Sequence, residues 1–237
     1  MMSKGSPYFF HLADIRQGQA IETPMAYFIT FEGVEGSGKT TQIRLAGELL
    51  QQLGVPHLIT EEPGGTPLGR KIREILLNRN AFAITGLSEL LLFQASRCQH
   101  VGTVIQPALQ EGKLVLCDRF TDATTAYQGF GRGIAMDWIK RLNDIASASL
   151  KPHKTILFDV PVELGLARAS RRMDLQQDLP REDRFEKEAL EFHQRVRDGY
   201  RFLAHEEPDR FIILDGTKDI GDLHDEIRQW LQTWITG

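Results

Sequence analysis

The chain has 237 residues, 41% hydrophobic and 25% charged, with a formal net charge of -4. That length suits one large α/β domain or two small ones and buries about 70% of the surface an unfolded chain exposes, while the composition excludes disordered, collagen-like and disulfide-scaffold classes. The negative balance and a pI near 6.0 give no general attraction to nucleic acid, so bound phosphate must meet a local positive site.

Residues 1–24 carry little periodicity and end just before Met25, which reads as a loose, disordered extension or an upstream misassigned start. A single domain from 25 to 237 is expected, since no Pro/Gly/Ser linker divides it. No apolar run approaches the ~20 residues needed to cross a bilayer, and no basic region precedes an apolar stretch at the amino terminus. A cytoplasmic protein without membrane contact is therefore expected. Cys98 and Cys117 sit in apolar segments without metal-ligand spacing and read as reduced core thiols.

In chain order, short β-branched and aromatic runs at Tyr27–Phe31, Val55–Thr60, Leu114–Cys117, Thr155–Val160 and Phe211–Leu214 predict buried strands. Helical spacing fills the gaps between them, as in Ile43, Ala46, Leu49, Leu50 and Leu53, or Phe185, Ala189, Phe192, Val196, Tyr200 and Leu203. Alternating strand and helix predicts one parallel sheet covered on both faces, with ligands at the carboxyl ends of its strands.

After the first strand, Gly33-Val34-Glu35-Gly36-Ser37-Gly38-Lys39-Thr40 matches G-x-x-x-x-G-K-[ST] in full. Glycines let successive N–H groups face phosphates, and the helix starting near Lys39 adds its positive end. Lys39 would bridge the β- and γ-phosphates, and the Thr40 hydroxyl would be a Mg2+ ligand. The pattern by itself serves GTPases, motor ATPases and small-molecule kinases alike.

Glu62-Pro63-Gly64-Gly65-Thr66 follows the second strand, and Arg70 or Arg73 on the next helix would clamp a monophosphate. On the helix from Leu87, Phe93 and Arg97 lie one turn apart, a stacking face beside a hydrogen-bond fork that suits a base. Asp118-Arg119-Phe120 closes the third strand, where Asp118 would hold Mg2+ through a water and Arg119 would bridge donor and acceptor phosphates. Residues 168–184 mix Arg168, Arg171, Arg172, Arg181 and Arg184 with Asp174, Asp178, Glu182 and Asp183, and Pro180 stops any continuous helix. This segment reads as a mobile charged loop between two helices.

Phe31-Glu32-Gly33, the cradle, Glu62 to Thr66, Phe93-x-x-x-Arg97, Asp118-Arg119-Phe120 and Tyr127-Gln128-Gly129 together resemble bacterial thymidylate kinases, from about residue 25 to the end. The resemblance implies a P-loop kinase fold, an α/β five-stranded parallel sheet flanked by helices with a mobile lid at about 168–184. It implies phosphorylation of dTMP to dTDP by MgATP, for dTTP synthesis, and a homodimer built by helix packing, here the long helix and Met136–Leu150. By similarity Glu35 would hold the 3′-hydroxyl of dTMP, and Arg73 and Arg119 its phosphate. Phe93 would stack on thymine, Arg97 would contact a base carbonyl, Thr124 and Gln128 would line the base edge, and Tyr127 would crowd the 2′ position.

Val34, Glu35, Gly36 and Ser37 include no basic residue, so a cation for the transition state has to come from elsewhere, and an arginine in that role is worth ~10³ to 10⁵ in rate. This resembles the bacterial subclass whose lid supplies it, with Arg168, Arg171 and Arg172 as candidates. Asp174–Leu179 exceeds the usual short lid, which leaves the choice among them open. The rivals are a kinase for another nucleoside monophosphate or for a deoxynucleoside, and a nucleotide-dependent switch ATPase.

Overall fold

The computed structural model describes residues 26–77, 83–175, 184–186 and 188–236. The extension at 1–24 and much of the charged segment, including Asp178, Pro180, Arg181, Glu182 and Asp183, lie outside the described residues.

Five strands, β1 (Phe28–Glu32), β2 (His57–Glu61), β3 (Leu114–Asp118), β4 (Lys154–Asp159) and β5 (Phe211–Asp215), form a parallel sheet in the order β2-β3-β1-β4-β5 among the described residues. Central β1 is buried along its whole length, as a strand covered on both faces must be. Its register pairs Phe31 with Asp118 on one side and Ile156 on the other, so the ends of β1 and β3 arrive together.

One face is closed by helices α1 (Lys39–Gln52) and α9 (Ile220–Thr236), whose Ile43, Ala46, Leu50, Leu223, Ile227 and Leu231 cluster with Ile29, Phe31, Ile156 and Phe158. The other carries α8 (Leu190–Glu206), with Phe192, Val196 and Tyr200 packed on Val34, Leu157 and Tyr127. Between strands run α2 (Pro67–Leu77), α3 (Gly86–His100), α4 (Gln106–Gln110), α5 (Thr121–Thr124), α6 (Met136–Ala146) and α7 (Val162–Leu175). No described helix is long and apolar enough to cross a membrane.

Three expectations need correction. Phe185 and Ala189 precede α8 and do not begin it: the extended backbone of Ala189, ψ 152°, breaks the period, and Phe185 is buried instead by aromatic contact with Tyr127 and Phe192. Arg168, Arg171 and Arg172 lie on α7, which continues to Leu175, so this end of the segment is helical rather than loop. Cys98 is exposed and only Cys117 is a core thiol, because Cys98 falls on the outer face of α3. Burial pushes the Cys117 thiol well above its ordinary range.

Candidate active site

The cradle is shaped by close backbone approach. Gly33 and Gly36 hold φ 142° and 65°, and a Cβ there would come within 2.6 Å of the Phe158 carbonyl and 2.0 Å of the Gly165 carbonyl. Only glycine tolerates both demands. The loop delivers the chain into α1, whose first N–H groups have no helical acceptor and suit an anion.

Lys39 is buried in this loop, where its ammonium donates to the carbonyls of Gly33 (3.0 Å) and Val34 (2.8 Å) and to Ser37 Oγ (3.1 Å). Burial, and then the charge of Arg119, lowers its amine to about 8 against the opposing pull of Asp118, Glu35 and Glu32. Beside it the Thr40 hydroxyl donates to Asp118 Oδ2 at 3.0 Å, putting a hydroxyl and a carboxylate oxygen together at the mouth of the cradle.

Arg119 adopts φ 68°, unusual for a side-chain-bearing residue and a mark of backbone held by its surroundings. Its guanidinium donates to the Gly33 carbonyl (3.1 Å), the Tyr200 hydroxyl (3.2 Å) and Glu35 Oε1 (3.3 Å), and lies 4.9 Å over the Tyr127 ring. The hydroxyl of Tyr127 donates to the same Glu35 oxygen at 2.5 Å. Beneath this group Glu32, fully buried at the end of β1, accepts from the Phe120 N–H and the Tyr200 hydroxyl, both at 2.7 Å. Burial, then Asp122, pushes its carboxyl up to about 7 in spite of Arg119.

The cradle opens into a cleft of about 600 Å³ whose walls include Glu35, Lys39, Thr40, Arg73, Phe93, Arg97, Asp118, Arg119, Thr124, Tyr127, Gln128 and Arg172. These predicted residues, with Gly36, are thus brought to one cavity. Arg70 and Arg171 are exposed and do not line it. Arg73 donates to Glu61 (3.2 Å) and the Pro63 carbonyl (3.0 Å). Arg168 turns back to the Gly216 carbonyl at 2.7 Å, and Arg172 stands 3.9 Å from Glu186.

Arg97 is nearly inaccessible, and its five N–H groups reach Glu62, Gln94, Asn143, the Phe120 carbonyl and Thr124. A base carbonyl would have to share one of these hydrogens. Gln128 donates to fully buried Glu89, which also takes Arg132 and Arg184.

Several participants escaped the sequence reading. Glu32 and Glu62 stood in the quoted motifs without a role, although for Glu32 an acid closing the largely apolar Phe28–Phe31 is itself a signal of a buried partner. Glu89 offers the same signal within α3. His193 and Tyr200 carry none, because the acids they meet, Glu35 and Glu32, are more than 150 residues away.

The sequence model described as "Thymidylate kinase" matches residues 31–227. A thymidylate kinase of Syntrophus aciditrophicus (strain SB) is 54% identical over 86% of this chain and 93% of its own length. One from Geotalea daltonii is 51% identical over 90% and 98%. The crystal structure of thymidylate kinase from Ehrlichia chaffeensis at 2.15 Å resolution superposes with a TM-score of 0.68, at 37% identity over 86% of this chain and 98% of that one. With a full-domain match and relatives spanning more than four fifths of its length, the chain belongs to the thymidylate kinase family.

Proposed function

We infer that the chain transfers the γ-phosphoryl group of ATP to dTMP, yielding dTDP for dTTP synthesis. The observation that carries the reading is Arg119, which links a complete phosphate cradle to a cleft of nucleotide size. One planar fork there can hold the phosphates of donor and acceptor at once. The acceptor is already an anion, so the reaction asks for alignment and charge stabilisation rather than a strong base.

Gly33, Val34, Glu35, Gly36, Ser37 and Gly38 would hold the ATP phosphates through backbone N–H groups, and Lys39 would leave its loop carbonyls for the β- and γ-phosphates. Arg73 and Arg119 would take the dTMP phosphate, Phe93 the thymine face, Arg97, Thr124 and Gln128 its edge, Tyr127 the 2′ side and Glu35 the 3′-hydroxyl. Arg172 is the α7 arginine best set to meet transferring charge, since it lines the cleft. A segment closing over the cleft there would exclude the water that hydrolyses ATP.

The site fits Mg2+. Thr40 and Asp118 offer adjacent hard oxygens, the donor type that suits an ion which keeps most of its waters. When bound, Mg2+ would neutralise phosphate charge, Thr40 touching it directly and Asp118 through water.

A second copy of the chain would cover the apolar residues left exposed on two packed helices, Leu87 and Leu91 of α3 and Trp138 and Ile145 of α6. The homodimer is checked by light scattering after gel filtration, where twice the chain mass is expected. The cytoplasm, where ATP and dTMP are both found, is the compartment this activity requires.

The test is a coupled ADP assay with ATP and Mg2+, offering dTMP, dUMP, dGMP, CMP, thymidine or no acceptor, beside Lys39→Ala. Turnover should require dTMP and fall by at least ~10²-fold in the variant. Equal ADP release without acceptor would instead identify a switch ATPase.

A further inference from the structure

Glu35 has its two carboxylate oxygens in different situations. Oε1 accepts from Tyr127 and Arg119, whereas buried Oε2 has no hydrogen-bond partner. Facing Oε2 at 3.4 Å is Nδ1 of His193, a wholly buried residue of α8 whose two ring nitrogens are both without a hydrogen bond. Polar groups buried side by side and unsatisfied are rare in folded proteins and call for an explanation. Here a small rotation of the Glu35 carboxylate, which lines the cleft, would close the gap.

The same helix supports the cradle a second time, since Tyr200, two turns beyond His193, donates to Glu32. One stripe of α8 therefore stands behind both acids that flank the cradle's first glycine. Burial alone would push the Glu35 carboxyl up, yet contact with His193, then Arg119 and Tyr127, brings it down to about 2. The carboxylate stays ionised and is an acceptor only, so what it can receive from the cleft is an O–H or N–H.

We propose that His193 is a positioning residue for acceptor specificity: its Nδ1–H donates to Glu35 Oε2 from behind while the sugar hydroxyl of the acceptor donates to the carboxylate from the cleft. The proposal rests on reading Glu35 as the partner of the 3′-hydroxyl. Held by His193 as well as by Tyr127 and Arg119, the carboxylate is fixed in the orientation that rewards the hydroxyl, and an acceptor lacking it leaves the buried charge one donor short.

The experiment compares kcat/KM for dTMP with that for its 3′-deoxy analogue in wild type, His193→Leu, His193→Asn and Glu35→Gln, with melting temperature measured for each. Leucine and asparagine have nearly one shape, but only asparagine offers an N–H near the Nδ1 position. The preference for dTMP should shrink about tenfold to a hundredfold in His193→Leu, the span expected for a hydrogen bond to a charged group, and survive in His193→Asn. Should the leucine variant fail to fold, His193→Gln replaces it, because its amide lies at the Nε2 end and the preference should again shrink. Equal losses on both acceptors in the His193 variants, with the preference for dTMP shrunken in Glu35→Gln, overturn the proposal alone. Equal losses in Glu35→Gln remove the hydroxyl reading of Glu35 and the proposal with it.

Discussion

Lys39 is held ready in a buried loop by carbonyls that only partly replace water, and burial with the charge of Arg119 lowers its amine to about 8. Because the folded value lies below the ordinary 10.5, the free enzyme loses this cation as pH rises through 8, whereas bound phosphates favour keeping it. kcat/KM for ATP, which reports the free enzyme, should be flat in its dependence on Lys39 below pH 8 and fall by up to about tenfold per pH unit above it. A profile level to pH 9.5 would contradict this origin. Arg119 gives a second expectation at this scale. Arg119→Lys keeps a charge but loses the fork that spans Gly33, Glu35 and Tyr200, so kcat/KM for dTMP should drop by roughly 10²-fold or more in initial-rate assays. Lys39 and Arg119 were both legible in the sequence, one from its motif and the other from its place after a strand. The depressed amine and the left-handed backbone were not, since each is set by neighbours distant in the chain.

Along α7 three arginines of one local pattern meet three different surroundings. Arg172 lines the cleft, Arg171 is exposed, and Arg168 holds the Gly216 carbonyl. Alanine substitution should therefore lower kcat by ~10³-fold at Arg172, leave it within about threefold at Arg171, and act at Arg168 chiefly on the melting temperature. Rapid-quench rates and thermal melts on the three variants separate these effects. Composition marks the segment as charged, but not which arginine faces inward, because side-chain direction depends on the helical turn of α7, which composition does not show. The same limit explains Phe185: a buried aromatic at a spacing of four from Ala189 and seven from Phe192 imitates helical period whether or not the backbone is helical.

For the whole molecule, ligand bound only by the folded state must stabilise it. Saturating dTMP at about 100 times its dissociation constant should contribute about 2.7 kcal/mol, or roughly 5–11 °C in melting temperature for a chain of this size. dUMP, dGMP and CMP at the same concentration should shift it less, and differential scanning calorimetry reads the difference. The sequence by itself determined the parallel sheet, the strand positions to within about two residues, the phosphate cradle and the ordered motifs that identify the family, because each is a local pattern with its own physical signature. Only the tertiary structure decided that Arg97 is saturated by Glu62, Gln94, Asn143, Phe120 and Thr124, that Glu89 collects Arg132 and Arg184, that Cys98 is outside, and that His193 waits behind Glu35. Burial of a polar side chain is settled by the surface that folding brings against it, and that surface comes from residues too far along the chain for any local period to record.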